Sequence, residues 1–182
     1  MTRFFLVLLT LLFFVLCAAA MRWGWRNRVR RQLAYLPAFP QPPAELPTDL
    51  LLAEASGVYV GTTTAGVWQD RIAVGDIGHR AVATISLSEQ GLLFDRVGAS
   101  PLWIPASRLV EARTDRGLAG KAMGIEGLLV VRWRVDEHEF DSGLRGDDKD
   151  VYAEWIDAVN ALAGRAGQPT AAAAPNQNGG QG

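Results

Sequence analysis

Cysteine, histidine and lysine are scarce in this chain of 182 residues. A single cysteine, Cys17, excludes an intrachain disulfide and any zinc site built from several cysteines. Two histidines, His79 and His138, disfavour a histidine-rich metal centre, and only two lysines are present. We therefore expect no metal and no cofactor.

Acidic residues are absent from the first 35 positions, which hold six arginines. Residues 36–182 contain 12 basic and 19 acidic side chains, a net charge of −7. The overall charge of −1 thus combines a basic amino-terminal segment with an acidic body. An acidic body repels polyanions, so we expect no nucleic-acid partner.

Phe4–Met21 is an unbroken run of apolar or weakly polar residues. As a helix it measures roughly 27 Å, close to the hydrocarbon thickness of about 30 Å. We expect an uncleaved transmembrane anchor, with a cleaved signal peptide as the main alternative and a buried core helix as a lesser one. Only Arg3 precedes the run, whereas five arginines follow it, which is the reverse of an export signal.

The residues that follow the run predict its orientation. Short arginine-rich flanks stay on the cytoplasmic side, so the amino terminus should lie outside and the body in the cytoplasm of a single-pass cell-membrane protein. Tryptophans at this position suit the membrane interface. Contact with anionic lipid should be limited to this flank, whose residues are Arg22, Trp23, Trp25, Arg26, Arg28, Arg30 and Arg31.

Three further segments follow. Residues 36–49 contain five prolines, which predicts an extended spacer that holds the body up to about 40 Å from the bilayer. Residues 50–164 should form the folded domain. Residues 165–182 are rich in Ala, Gly, Asn and Gln and should be a disordered tail.

The body is patterned mostly as strands. Apolar and polar residues alternate in 83–88 and 131–135, so Trp133 should point inward. Turns at 89–91 and 136–138 lead into partner strands at 92–97 and 139–144, with Phe140 and Leu144 inward. Further candidate strands are 58–63, 69–74, 102–104 and 109–115. About seven short strands indicate a mainly β barrel or two packed sheets.

One amphipathic helix ends the domain. Val151, Trp155, Val159 and Leu162 form an apolar stripe, with Trp155 as its largest member. Asp147 or Asp148 is a candidate cap, and Gly164 is placed to end the helix.

A β-barrel closed by such a helix resembles a pleckstrin-homology-like (PH-like) domain over residues 57–163. The fragments that carry the likeness are GVYVGTTTAGVWQDR (57–71), GLLFDR (91–96), DRGLAGK (115–121), LLVVRW (128–133) and the helix with Trp155. They look like the membrane-anchored PH-like proteins of actinobacteria, whose function is uncharacterised. The resemblance implies a transmembrane helix followed by a cytoplasmic PH-like domain, and it supplies no catalytic residues.

Fragments that imitate enzyme motifs fail on their chemistry. Asp141-Ser142-Gly143 copies an aspartic protease, but we expect Asp141 to face solvent without a partner carboxylate. Residues 115–122 approach a P-loop, yet Ala122 replaces the Ser or Thr that would meet magnesium, and a Gly-rich loop is expected instead. His138, Glu139 and Asp141 alternate along a strand and make a poor metal site. We therefore expect no enzyme.

A non-catalytic protein-interaction or scaffolding module remains, with an unidentified cytoplasmic or membrane protein as partner. The alternative is a lipid-recognition module, disfavoured because residues 61–71 offer one arginine and no lysine; an enzyme or transport accessory protein is a distant third. Trp68 is either exposed as a binding residue or folded back over the barrel end. The predicted interaction surface is Trp68, Gln69, Asp70 and Arg71, with Arg116 and Lys121 from a second loop.

Overall fold

A computed structural model describes residues 2–118, 121–122 and 127–167. Its elements are helix α1 (Thr2–Tyr35), strands β1 (Ala55–Thr64), β2 (Ala81–Ser88), β3 (Gly91–Arg96), β4 (Leu102–Pro105), β5 (Leu109–Asp115), β6 (Gly117–Leu118), β7 (Lys121–Ala122), β8 (Leu128–Val135) and β9 (His138–Gly146), and helix α2 (Tyr152–Gly167). A 3₁₀ turn, Ala106–Arg108, separates β4 from β5. The mainly β class with a helix at each end is confirmed.

Helix α1 is long and apolar enough to cross a membrane, and the side chains of its apolar part are exposed. The helix does not stop where the apolar run stops at Met21. It continues for a further 14 residues to Tyr35, about 21 Å along its axis. The arginine-rich flank is therefore helical.

Seven antiparallel strands form one sheet in the order β4-β3-β2-β1-β9-β8-β5, and β6 pairs with β7 in a separate hairpin. The inner face of the sheet and α2 enclose a core that includes Trp133, Phe94, Phe140 and Trp155. The apolar stripe of α2 is confirmed, since Trp155, Val159 and Leu162 are all buried.

A β-bulge in β1 lets two polar side chains reach the barrel interior. The pairing of β1 with β9 shifts between Tyr59 and Gly61, and Gly61 takes a φ of 138°, which suits glycine. As a result Tyr59 and Thr62 both face inward, with their hydroxyl oxygens 2.5 Å apart.

These hydroxyls belong to a buried hydrogen-bonded chain. The indole Nε1–H of Trp133 donates to Ser142 Oγ at 2.9 Å, and Ser142 Oγ lies 2.6 Å from Thr62 Oγ1. At the other end Tyr59 donates to the carbonyl of Ile77 at 2.6 Å. Burial raises the pKa of Tyr59 to about 12, so its phenol stays neutral at physiological pH.

Arg96 forms hydrogen bonds to both the long β1–β2 connection and the turn after β3. Its buried guanidinium donates to Asp76 Oδ1 at 2.5 Å and to the Asp76 carbonyl at 2.9 Å, and Nε donates to the Ser100 carbonyl at 2.8 Å. Desolvation raises the pKa of Asp76, but the hydrogen bonds from Ser100 and Arg96 outweigh it, so the pKa is lowered overall.

β5 is an edge strand of the sheet, and a side chain of α2 forms hydrogen bonds with its unpaired edge. Asn160 Oδ1 accepts from the Ala112 backbone N–H at 2.7 Å, and Asn160 Nδ2 donates to the Ala112 carbonyl at 3.2 Å. This amide makes the donor and acceptor pair that a neighbouring strand would make.

The predicted spacer is instead packed against the domain. Residues 36–49 contain no helix, as their prolines require, but Leu36 and Phe39 pack on the core. The Phe39 ring meets Trp133 at 5.9 Å and Phe140 at 5.5 Å between ring centres, edge to face. A stand-off of 40 Å is therefore wrong, because Leu36 and Phe39 hold the start of this segment against the core. The predicted division at residue 50 stays a prediction.

Two predicted element boundaries also differ. Residues 69–74 form no strand beyond an isolated bridge from Arg71 to Thr63. The pairing stops there because the Ile72 N–H donates to the Thr62 carbonyl, but the Thr62 N–H donates to Ile77 instead. Helix α2 continues through Gly164 to Gly167, and Asp148 caps the preceding turn by accepting from Asp150 N–H at 2.9 Å. Of the predicted tail, 165–167 are helical and 168–182 lie outside the described residues.

Candidate functional site

The end of α1 docks on the segment that follows the loop of residues 65–70. Gln32 is only 3% exposed, and its side-chain oxygen accepts from the Ala73 backbone N–H at 2.5 Å. Its amide nitrogen lies 3.4 Å from the Arg71 carbonyl, to which Arg28 also donates at 3.0 Å. Arg28 further pairs with Asp70 Oδ1 at 3.0 Å. Helix α1 and the barrel are thus in direct contact.

Loop 65–70 is closed at its base by backbone and side-chain bonds. Thr64 donates from its N–H to the Asp70 carbonyl at 3.0 Å and from Oγ1 to Asp70 Oδ2 at 2.7 Å. Inside the loop, Val67 N–H donates to the Thr64 carbonyl at 3.1 Å. Gly66, whose φ is +75°, completes the turn and donates its N–H to Asp141 Oδ2 at 3.3 Å. The loop therefore lies over the outer face of the sheet.

Asp141 lies beneath this loop, and two arginines cover its carboxylate. Arg132 donates two hydrogen bonds to the carboxylate, from Nε at 2.9 Å and from Nη2 at 3.0 Å. Arg113 Nη2 donates a third at 2.9 Å. Burial alone raises the pKa of Asp141, but the hydrogen bonds from Arg132 and Arg113 outweigh it and lower the pKa overall. The prediction that Asp141 faces solvent is wrong, because it points off the barrel interior yet is covered by these cations and is only 3% exposed.

The rest of the protease-like fragment has a structural use. Ser142 points inward and joins the buried hydroxyl chain. A Cβ on Gly143 would lie 2.5 Å from Leu118 Cδ2, so glycine leaves the space into which Leu118 packs. Leu118 buries itself there with Val60, Leu128 and Val130 on the outer face of the sheet. The position of β6 thus depends on the glycine.

Between loop 65–70 and β6 lies a groove of about 370 Å³. Trp68, 41% exposed, contributes one aromatic wall, and Leu118, which is only 1% exposed, lies at the base of the groove. Two arginines and two aspartates make the charge of the lining balanced. The residues that line the groove are Gly66, Trp68, Arg113, Asp115, Arg116, Leu118 and Asp141.

Sequence comparison identifies the fold that carries this groove. A family model described as Bacterial PH domain-like matches residues 36–160. The chain belongs to this family. The match begins at residue 36 and so includes the proline-rich segment that packs on the barrel. No curated protein matches the chain.

The PH-like domain brings only part of the predicted surface together. Trp68 and Arg116 line the same groove, and Trp68 is exposed rather than folded into the core. Asp70 instead pairs with Arg28 and Thr64, and Arg71 donates to the Gly78 carbonyl at 2.6 Å. Gln69 is exposed on the loop. The Lys121 side chain lies outside the described part of the chain.

The arginine-rich flank divides into two faces. At 100° per residue, Arg28 and Gln32 lie about 40° apart around the helix, whereas Arg26 and Arg30 each lie about 160° from Arg28. The first pair contacts the PH-like domain, while Arg22, Arg26, Arg30 and Arg31 are exposed, as are Trp23 and Trp25. Sequence reasoning assigned all five arginines to the membrane and missed the docking role of Arg28 and Gln32. Gln32, a polar residue at helical spacing from Arg28, was the available signal.

Proposed function

We propose that this protein is a single-pass membrane protein whose cytoplasmic PH-like domain is a non-catalytic protein-interaction module, with the Trp68 groove as its binding site. The observation that carries the proposal is Trp68, a large aromatic side chain that stays exposed beside a groove. Tryptophan is enriched among the residues that dominate binding energy in protein interfaces. Trp68 and the charged residues that flank it supply the apolar centre and polar rim that such interfaces use.

The charge of the groove favours a protein over an anionic lipid headgroup. Arg113 is within ion-pair distance of Glu111, Asp115 and Asp141, at 3.2, 3.4 and 2.9 Å, so its charge is already compensated. A polyphosphate headgroup requires several uncompensated cations. The partner that fits is a protein segment with an apolar side chain for Trp68 and polar groups for the rim.

Site-specific photo-crosslinking of the full-length protein in its native membrane tests the site. A photoreactive phenylalanine analogue at position 68 should capture a discrete protein, whereas the same analogue at Val97, exposed elsewhere on the domain, should not. Trp68→Ala should abolish co-purification of that protein without changing the melting temperature. Equal capture from both positions contradicts the groove as the site.

Lipid recognition is tested with the same protein. We expect vesicles containing anionic lipid to show no headgroup selectivity that depends on Arg71 or Arg116. Selective binding that is lost in Arg71→Ala reverses the assignment and makes lipid recognition the better account.

The orientation is proposed from the arginines alone and has its own test. A reporter that works only in the cytoplasm should be active when it is fused after residue 182. A reporter that works only after export should be inactive at the same position. Activity of an exported reporter at that position contradicts the orientation. A mature amino terminus near Met21 would instead establish signal cleavage and contradict the anchor.

A further inference from the structure

One carboxylate joins the membrane anchor to the loop that carries Trp68. Asp70 Oδ2 accepts from Thr64 Oγ1 at the base of loop 65–70, and Asp70 Oδ1 accepts from Arg28 on α1. Trp68 stands two residues before Asp70 within the same closed loop. A displacement of Arg28 therefore acts on the base of the loop directly.

Gln32 adds a second and more buried point of contact on the other side of Asp70. Its side chain accepts from Ala73 N–H and faces the Arg71 carbonyl, so one amide holds the backbone on both sides of Ile72. Withdrawal of Gln32 would leave the buried Ala73 N–H without this acceptor, which is costly in a protein interior. The exposed Arg28–Asp70 pair is the weaker of the two contacts.

The two contacts follow the same direction along the helix and along the segment 70–73. Arg28 contacts Asp70 and Gln32 contacts Ala73, so the segment 70–73 runs parallel to α1. Because α1 is one continuous helix from Thr2 to Tyr35, an axial shift or rotation of its membrane part moves Arg28 and Gln32 together.

The geometry points to a conformational coupling in which docking of α1 through Arg28 and Gln32 sets the conformation of loop 65–70 and hence the shape of the Trp68 groove. Movement of the anchor in the membrane, for example on association with another membrane helix, would be transmitted to the partner site. The mechanical coupling is independent of what the groove binds, and its consequence for partner binding rests on the proposed function.

Hydrogen exchange of the full-length protein in lipid nanodiscs measures the coupling. Arg28→Ala and Gln32→Ala should each accelerate exchange of the Val67 and Asp70 amides, which are bonded within the loop, with an effect on the order of tenfold for Gln32→Ala and less for Arg28→Ala. The amides of β8 report on global stability and should not change. Arg26→Ala and Arg30→Ala are matched controls, since they remove the same charge from the opposite face.

Unchanged exchange at Val67 and Asp70 in both docking variants overturns the coupling, as does an equal acceleration in the control variants. If Gln32→Ala also accelerates β8, Arg28→Ala decides the matter because Arg28 is exposed and its removal leaves the core intact. The crosslink from position 68 separates the two proposals. If position 68 still captures a protein but amide exchange in the docking variants is unchanged, only the coupling is refuted. If exchange in these variants accelerates but position 68 captures no protein, only the groove as binding site is refuted.

Discussion

Phe39 decides whether the proline-rich segment is a spacer or part of the folded domain. Complete removal of a buried phenylalanine side chain costs about 3–5 kcal/mol. Phe39 is half-buried, which reduces this figure by roughly half, but its two edge-to-face contacts add about 0.5 kcal/mol or more each. We therefore expect Phe39→Ala to lower the free energy of unfolding by about 2.5–3.5 kcal/mol and the melting temperature by about 10 °C.

Thermal unfolding of the full-length protein in detergent, followed by near-ultraviolet circular dichroism, measures this change. The near-ultraviolet signal reports Trp133 packing, whereas α1 contributes mainly to the far-ultraviolet signal. Leu46→Ala is the matched control, because Leu46 lies in the same segment but is 50% exposed, and its replacement should cost under about 0.5 kcal/mol. Equal melting temperatures for Phe39→Ala and the unmodified protein would refute the reasoning and restore the segment as a spacer.

Three further predictions concern the barrel. Trp155→Ala should lower the free energy of unfolding by about 3–5 kcal/mol in chemical denaturation, because Trp155 is fully buried in the core; an unchanged midpoint contradicts this. Because the pKa of Asp141 is lowered, its contribution to stability is complete at pH values well above 3.8, the ordinary aspartate pKa, and is lost as the pH falls below 3.8 through the folded-state pKa. Asp141→Asn should therefore flatten this part of the acid-unfolding curve, and a curve of unchanged slope contradicts the prediction. Gly143→Ala should displace Leu118 and accelerate amide exchange in β6, whereas Gly164→Ala, which meets open space, should be neutral or stabilising.

The sequence predicted well what depends on regular periodicity. The alternation around Trp133 and the stripe through Trp155 each report one buried face, and both are confirmed because burial of a face repeats at the period of the strand or helix. The groove could be predicted only in part. Trp68 and Arg116 come from loops whose approach depends on the tertiary contacts of Asp141 and Leu118, which leave no local pattern.

The errors share one physical origin, which is long-range pairing of single residues. Asp141 is covered by Arg113, 28 positions away, and Phe39 reaches Phe140 across about 100 positions. Gln32 supplies a side-chain acceptor where a strand through 69–74 was expected. None of these contacts follows from the residues adjacent in sequence, because each depends on the completed fold.

The pairing of Asn160 with the edge of β5 bears on whether copies of this domain can join edge to edge. An open strand edge would invite identical domains to join into a continuous sheet. The Asn160 amide already occupies the donor and acceptor of Ala112, and α2 covers the strand on which they lie. The edge of β5 is thus closed at Ala112, and a second copy of the domain could pair with the strand at this residue only after α2 had detached.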